Sequence, residues 1–206
     1  MNFVYIVIAI ALGYFIGSIP WALVIGKVFY KTDVREHGSG NLGGTNVGRT
    51  LGAKAGLTVM ILDIFKAFFA VMISSKISGE NSTAVVLCGV AACIGHSYPI
   101  FANFKGGKSV STTGGFVMAL AIFVTHDVLF FIVPFLIFLL ILGLSKMVSL
   151  SSMISILSSA IYAFVFYPDS YIGIIMLFVT AFIIYRHRAN VKRIIQGKES
   201  KVKWIK

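Results

Sequence analysis

Acidic residues are scarce in this chain, with seven Asp and Glu against eighteen Lys and Arg in 206 residues. No plausible carboxylate pair remains for acid–base chemistry. Cysteine is scarcer, with two residues. Cys88 and Cys93 sit five apart in an apolar run, about 140° around a helix, which excludes a disulfide or a shared metal and leaves them as packing residues. A Ser-centred nucleophile elbow and a cluster of metal-ligand residues are also missing. No His is followed five residues later by Asp. A reaction on this chain must depend mainly on electrostatics and positioning, and neither a metal nor a cofactor is expected.

What is abundant is apolar sequence. Hydrophobic residues make up 58% and mean hydropathy is +0.93, against roughly 45–50% apolar content in ordinary globular chains. Runs near the length of a membrane helix occur at 3–26, 55–75, 83–101, 110–125, 128–145, 150–167 and 170–185. They predict an all-α integral membrane protein with seven spans. The fourth run is short and the break at 124–128 is weakly marked, so five or six spans also fit. No segment between the runs could hold a separate core, and residues 1–206 read as one membrane-embedded domain.

Charge placement supports seven spans. Lys27, Lys31, Arg35, Arg49 and Lys54, then Lys105 and Lys108, then Lys146, and a tail of eight basic residues from 186 onward would all share one side. The positive-inside rule makes that side cytoplasmic, with the N-terminus outside and the C-terminus inside. Glu80, Asp127 and Asp169 would lie opposite. The tail, including Lys192, Arg193, Lys198, Lys201, Lys203 and Lys206, reads as an anchor to anionic headgroups. Nucleic acid is not an expected partner, because these charges crowd against a bilayer.

Three polar clusters interrupt the apolar runs, at 38–46, 95–109 and 185–193. Gly38, Ser39, Gly40, Leu42 and Gly43 with Asn41 match a dinucleotide fingerprint, but an apolar span and not a strand precedes them, so that reading is rejected. Gly107-Lys108-Ser109 is a partial phosphate-loop ending, with Ala102 where glycine would be required. The physics beneath both survives. Successive glycine N–H groups can form an anion nest, Lys105 or Lys108 supplies a point charge, and an N–H-rich helix start can receive phosphate. Ser39, Asn41, Thr45 and Asn46 offer neutral hydrogen bonds, with Arg49 one helical turn beyond; the same residue types also serve as loop caps. His187 and Asn190, three apart, would share a helix face, either as a site or as wet interfacial side chains.

Within the spans, Asp63 and Lys66 predict a buried i,i+3 ion pair acting as structural glue. Gly13 and Gly17 predict a close helix contact. Pro20 with Gly17-Ser18 predicts a bend, its freed backbone groups met by polar neighbours.

Taken together, the clusters resemble the bacterial acyl-phosphate:glycerol-3-phosphate acyltransferase family (PlsY). Its first motif resembles Gly17-Ser18-Ile19-Pro20 followed by Asp33, Arg35 and the run from Gly38 to Arg49. Its second resembles Gly95-His96 and Pro99 with Phe104-Lys105-Gly106-Gly107-Lys108. Its third resembles Tyr185-Arg186-His187 and Asn190. The resemblance covers nearly the whole chain. It implies a bacterial inner-membrane enzyme that transfers a fatty acyl group from acyl phosphate to the sn-1 hydroxyl of glycerol 3-phosphate, the first acylation in phospholipid synthesis.

By the same resemblance, Ser39, Arg49, Lys108, His187 and Asn190 carry the reaction. Gly38, Gly40, Asn41, Thr45, Asn46, Lys105, Gly106, Gly107 and Ser149 bind substrate. The expected partners are the two phosphorylated substrates and membrane lipid, and a monomer is expected. Gly44 stands where the family usually has Ala, Ser109 where it has Gly, Ser111 where it has Ala, and Ala189 where it has Glu. Two other readings stay open: a transporter or flippase for a phosphorylated anion, with Asp63–Lys66 at midplane, and a divergent, weakly active paralogue.

Overall fold

The computed structural model describes residues 2–79, 81–168 and 171–202. Glu80, Asp169, Lys203 and Lys206, which figure in the expected charge pattern, lie outside the described residues. Every regular element among the described residues is helical. The α-helices are α1 (Asn2–Gly17), α2 (Trp21–Tyr30), α3 (Gly44–Leu51), α4 (Ala53–Ile77), α5 (Ser82–Ser97), α6 (Val110–Phe123), α7 (Leu129–Ser145), α8 (Val148–Phe166), α9 (Ile172–Arg186) and α10 (Arg188–Ile195).

All seven apolar runs are helical, but they differ in reach. Phe3–Tyr30, Ala53–Ile77, Ser82–Ala102 and Val148–Phe166 are long and apolar enough to cross a membrane. The α9–α10 pair, bent by 67°, is a fifth candidate. Helix α6 has 14 residues, about 21 Å at 1.5 Å per residue, against a hydrocarbon core of about 30 Å. Helix α7 has 17. Four to five spans therefore meet the length criterion among the described residues, where seven were expected. Short turns replace helix at the ends of α6, where Ser109 adopts a left-handed φ of 61° before it and residues 124–128 turn after it.

The chain divides into two compact units, Met1–Val124 and Thr125–Lys206. In the first, α1 runs along α5, and α4 packs against α1, α3, α5 and α6. The expected Gly13/Gly17 contact is present. A Cβ at either position would collide with the Cys88 or Ala92 carbonyl of α5, so the two backbones approach as only small residues allow. Both cysteines are buried and unbridged. Ala22, Leu23, Val34, Leu42, Val47, Ala55, Val59 and Ala102 form an apolar cluster that anchors the first polar loop.

The chain breaks between α1 and α2 at Ser18–Pro20, as the proline predicts. The Ile19 carbonyl, freed from the helix by the break, accepts a hydrogen bond from Lys66 Nζ at 2.9 Å. Lys66 Nζ also lies 2.8 Å from Asp63 Oδ1, with both side chains buried. The ion pair read from the sequence thus also closes the helix break.

In the second unit, α8 packs against both α7 and α9. Asp127 fixes the turn before α7: its Oδ1 caps the Leu129 N–H at 2.9 Å, and its Oδ2 accepts from Tyr162 and Tyr167, each at 2.8 Å. The Tyr162 hydroxyl and then that of Tyr167 hold the Asp127 carboxyl below its ordinary range.

Candidate active site

The first polar loop is built around Asn46, which is 3% exposed. Its Oδ1 accepts from the Ser39 N–H at 2.8 Å and the Ser39 hydroxyl at 3.2 Å. Its Nδ2 donates to the Val34 carbonyl at 3.0 Å and the His37 carbonyl at 3.2 Å. Asn46 therefore acts as the organiser of the loop, with its amide directed at the chain's own backbone. Gly38, at φ 59°, lies so close to Asn46 Oδ1 that a Cβ would collide with it. Asp33 caps the short 34–36 turn through the Arg35 N–H at 3.0 Å and binds the Arg35 guanidinium at 3.0 and 2.6 Å. That guanidinium holds the Asp33 carboxyl well below the usual range.

This scaffold leaves other groups outward. Ser39 is exposed, and Asn41 Nδ2 donates to its hydroxyl at 3.2 Å. Thr45 and Arg49, four apart on α3, are both exposed, whereas Asn46 and Val47 on the other side of the helix are buried. The loop and α3 thus leave a hydroxyl, an amide and a guanidinium accessible, groups suited to an oxyanion.

In the second polar loop, left-handed Asn103 and Phe104, at φ 53° and 57°, turn the chain back toward α5. The Gly106 N–H donates to the Ser97 carbonyl at 3.2 Å and the Gly107 N–H to the His96 carbonyl at 3.1 Å. These two N–H groups complete the end of α5, where an anion nest was expected. The glycines are required because of space. A Cβ at Gly106 would strike the His96 carbonyl, and one at Gly107 would strike His96 Nε2 and come within 2.8 Å of the Leu42 carbonyl. Leu42 belongs to the first loop, so the two loops meet at Gly107. Lys108, half-buried, and exposed Lys105 flank the glycines, and α6 opens at Val110. The first-turn N–H groups of α6 lack intrahelical partners and carry partial positive charge.

The unusual residues are absorbed locally. Ser109 is fully buried, and its hydroxyl meets Ser97 Oγ at 2.9 Å and bonds the Cys93 carbonyl. It serves the α5–α6 contact. Gly44 sits where α3 crosses α4: a Cβ there would strike Met60 and approach the Gly56 carbonyl to 2.6 Å. The glycine thus belongs with Met60 and Gly56.

In the second unit, His187 ends α9 and Asn190 lies in the first turn of α10; both are buried. His187 Nδ1 lies 2.9 Å from the Ile183 carbonyl, which can only accept, so Nδ1 carries a proton. The feature missed in the sequence is Glu199. Its Oε1 accepts from Asn190 Nδ2 at 2.7 Å and Ser149 Oγ at 2.8 Å, and its Oε2 accepts from Arg193 Nε at 2.8 Å. Burial pushes its carboxyl up, but the bonds from Asn190, Ser149 and Arg193 together hold it below the ordinary glutamate value. Ala189 is exposed, so the carboxylate serving this cluster comes from the tail. Arg193, read as part of an anchor, is instead this glutamate's partner.

The helices and loops define an all-helical membrane protein whose polar clusters carry phosphate-type donors. A family model described as glycerol-3-phosphate acyltransferase matches residues 7–197. The chain is 46% identical to the glycerol-3-phosphate acyltransferase of Bacillus velezensis over 202 residues, 97% of this chain and 99% of that one. It is 47% identical to the enzyme of that name from Bacillus subtilis, with the same coverage. The crystal structure of PlsY (YgiH), an integral membrane glycerol 3-phosphate acyltransferase in its glycerol 3-phosphate form, superposes with a TM-score of 0.87. Identity to it is 36%, over 96% of this chain and 95% of that one. The chain belongs to the glycerol-3-phosphate acyltransferase family.

Proposed function

We propose that this protein transfers a fatty acyl group from acyl phosphate to the sn-1 hydroxyl of glycerol 3-phosphate, giving lysophosphatidic acid and inorganic phosphate. The observation that carries this reading is the junction of the two glycine-rich loops at Gly107, which groups Lys108, the start of α6 and the Ser39/Arg49 surface within one unit.

Acyl phosphate is a mixed anhydride and is already activated. The acceptor hydroxyl oxygen attacks the acyl carbonyl carbon, a C–O ester bond forms, and the C–O bond to phosphate breaks. The hydroxyl proton passes to the departing phosphate or to His187. Lys108 and the α6 N-terminus hold glycerol 3-phosphate, with Gly106 and Gly107 shaping the loop and Lys105 at its rim. Arg49, Ser39, Asn41 and Thr45 orient acyl phosphate and stabilise charge developing on its phosphoryl oxygens. His187 and Asn190, braced through Ser149 and Glu199, complete the polar machinery.

We read residues 1–206 as one membrane-embedded domain. We read it as seven crossings with the polar loops cytoplasmic, in the inner membrane of a bacterium, functioning as a monomer. The transport reading loses its main support, because Lys66 Nζ is already engaged by Asp63, the Ile19 carbonyl and His96 Nδ1. The weakened-paralogue reading loses support from the local fit of Gly44 and Ser109. Kinetics test the assignment. Lys108→Ala raises the glycerol 3-phosphate KM, and an unchanged KM and turnover in that variant overturns it.

A further inference from the structure

Beneath the second polar loop lies a buried charged group that the reaction above does not use. Lys66 Nζ lies 2.8 Å from Asp63 Oδ1, 2.9 Å from the Ile19 carbonyl and 2.9 Å from His96 Nδ1. These contacts join α4, the α1–α2 break and the end of α5. Asp63, Lys66 and His96 are 2%, 5% and 7% exposed. The opposite edge of the His96 ring faces Gly107, where an added Cβ would strike Nε2, and the His96 carbonyl accepts the Gly107 N–H. His96 therefore touches the loop with both its ring and its backbone.

We propose that Lys66 is a positioning residue for substrate phosphate: it fixes the His96 ring on which Gly107 rests, and so sets the height of Lys108 and the first turn of α6. This rests on the reading that this loop holds glycerol 3-phosphate. An ammonium has only donors, so His96 Nδ1 accepts from it and the ring proton sits on Nε2, toward Gly107. Asp63 is the counter-charge, and its Oδ1 lies 3.4 Å from His96 Nδ1. A structural ion pair alone needs only Asp63 and Lys66. The third contact, reaching the residue that carries the loop, is what links burial to binding.

The same network makes the role separable from folding. Replacing a buried ion pair by apolar residues of similar size is often neutral for stability, whereas removing one partner is not. The Asp63→Leu/Lys66→Met double variant therefore leaves no buried charge unpaired; it should still fold, melting below the parent protein because the Ile19 carbonyl and His96 Nδ1 each lose a donor. It should nevertheless bind glycerol 3-phosphate about tenfold more weakly, since small displacements of positioned groups carry effects of this size or larger. Its KM for glycerol 3-phosphate should rise while its KM for acyl phosphate stays unchanged.

Titration calorimetry in nanodiscs, with Lys108→Ala as the control, distinguishes the outcomes. If Lys108→Ala binds glycerol 3-phosphate like the parent protein, the loop assignment itself fails. If Lys108→Ala loses binding while the folded double variant keeps it, the positioning role of Lys66 fails. Nitrogen NMR of the histidine-labelled parent protein decides independently of any variant's folding. An unprotonated His96 Nδ1 supports the proposal, and a protonated one overturns it.

Discussion

Glu199 Oε1 accepts the Asn190 side-chain amide at 2.7 Å. With Ser149 on the same oxygen and Arg193 on the other, this one carboxylate ties the start of α8, the helix α10 and the tail together. The tail reaches it by turning at Gly197, at φ 65°, and Val202 N–H then donates to the Lys146 carbonyl at 2.8 Å.

Removing that carboxylate should release the third cluster. Glu199→Ala leaves the buried Asn190 and Ser149 donors without their acceptor, a loss of about 1–3 kcal/mol. Thermal unfolding in detergent should show a clear drop in melting temperature. Glu199→Gln keeps one acceptor oxygen and should fall between the two.

Acid should act through the same group. The bound state holds the Glu199 carboxyl below its ordinary value of 4.5, so the folded state prefers the ionised form. Its stabilisation is complete above the unfolded value and is lost as pH falls through the folded one. Melting temperature should therefore decline below about pH 4.5 more steeply in the parent protein than in Glu199→Gln. Equal slopes contradict this.

Gly44→Ala would seem conservative, since it adds a single methyl group. Here the Cβ meets Met60 and the Gly56 carbonyl, and overpacking of this kind costs about 1–3 kcal/mol. Pairing it with Met60→Ala should recover only the part due to the flexible side chain, because the Gly56 carbonyl stays in place. A thermal double-mutant cycle measures both.

Ser109→Gly removes a hydroxyl bonded to Ser97 and Cys93 but relieves a left-handed φ of 61°. Two lost hydrogen bonds of about 1 kcal/mol each and a left-handed penalty of about 1–2 kcal/mol nearly offset one another. Stability should change by less than about 1 kcal/mol, and turnover should be unchanged. A tenfold loss of turnover would place Ser109 in the polar machinery.

Much of this was legible in the sequence because the membrane leaves few choices. Long apolar runs had to be helices, Gly13 and Gly17 had to be a contact, and Pro20 had to break a helix. Asp63 and Lys66 had to pair. The partners of those groups were harder to see. An ammonium has three donors and Asp63 supplies one acceptor site, so further acceptors were required, but only the fold shows them to be His96 and the Ile19 carbonyl. Asn46 and the glycines at 106–107 read as ligand groups because their chemistry suits an anion equally well. Tertiary structure turns the Asn46 amide and the two glycine N–H groups inward. Glu199 was missed for a similar reason, although a lone acid among eight basic residues was the signal available.

The most direct measurement supplies the purified, reconstituted protein with acyl phosphate and labelled glycerol 3-phosphate, without ATP or added metal. Labelled lysophosphatidic acid should appear together with an equal amount of inorganic phosphate, and Lys108→Ala should suppress it through a raised glycerol 3-phosphate KM. Folded protein that forms no lysophosphatidic acid with acyl phosphate of any chain length would contradict the acyltransferase assignment.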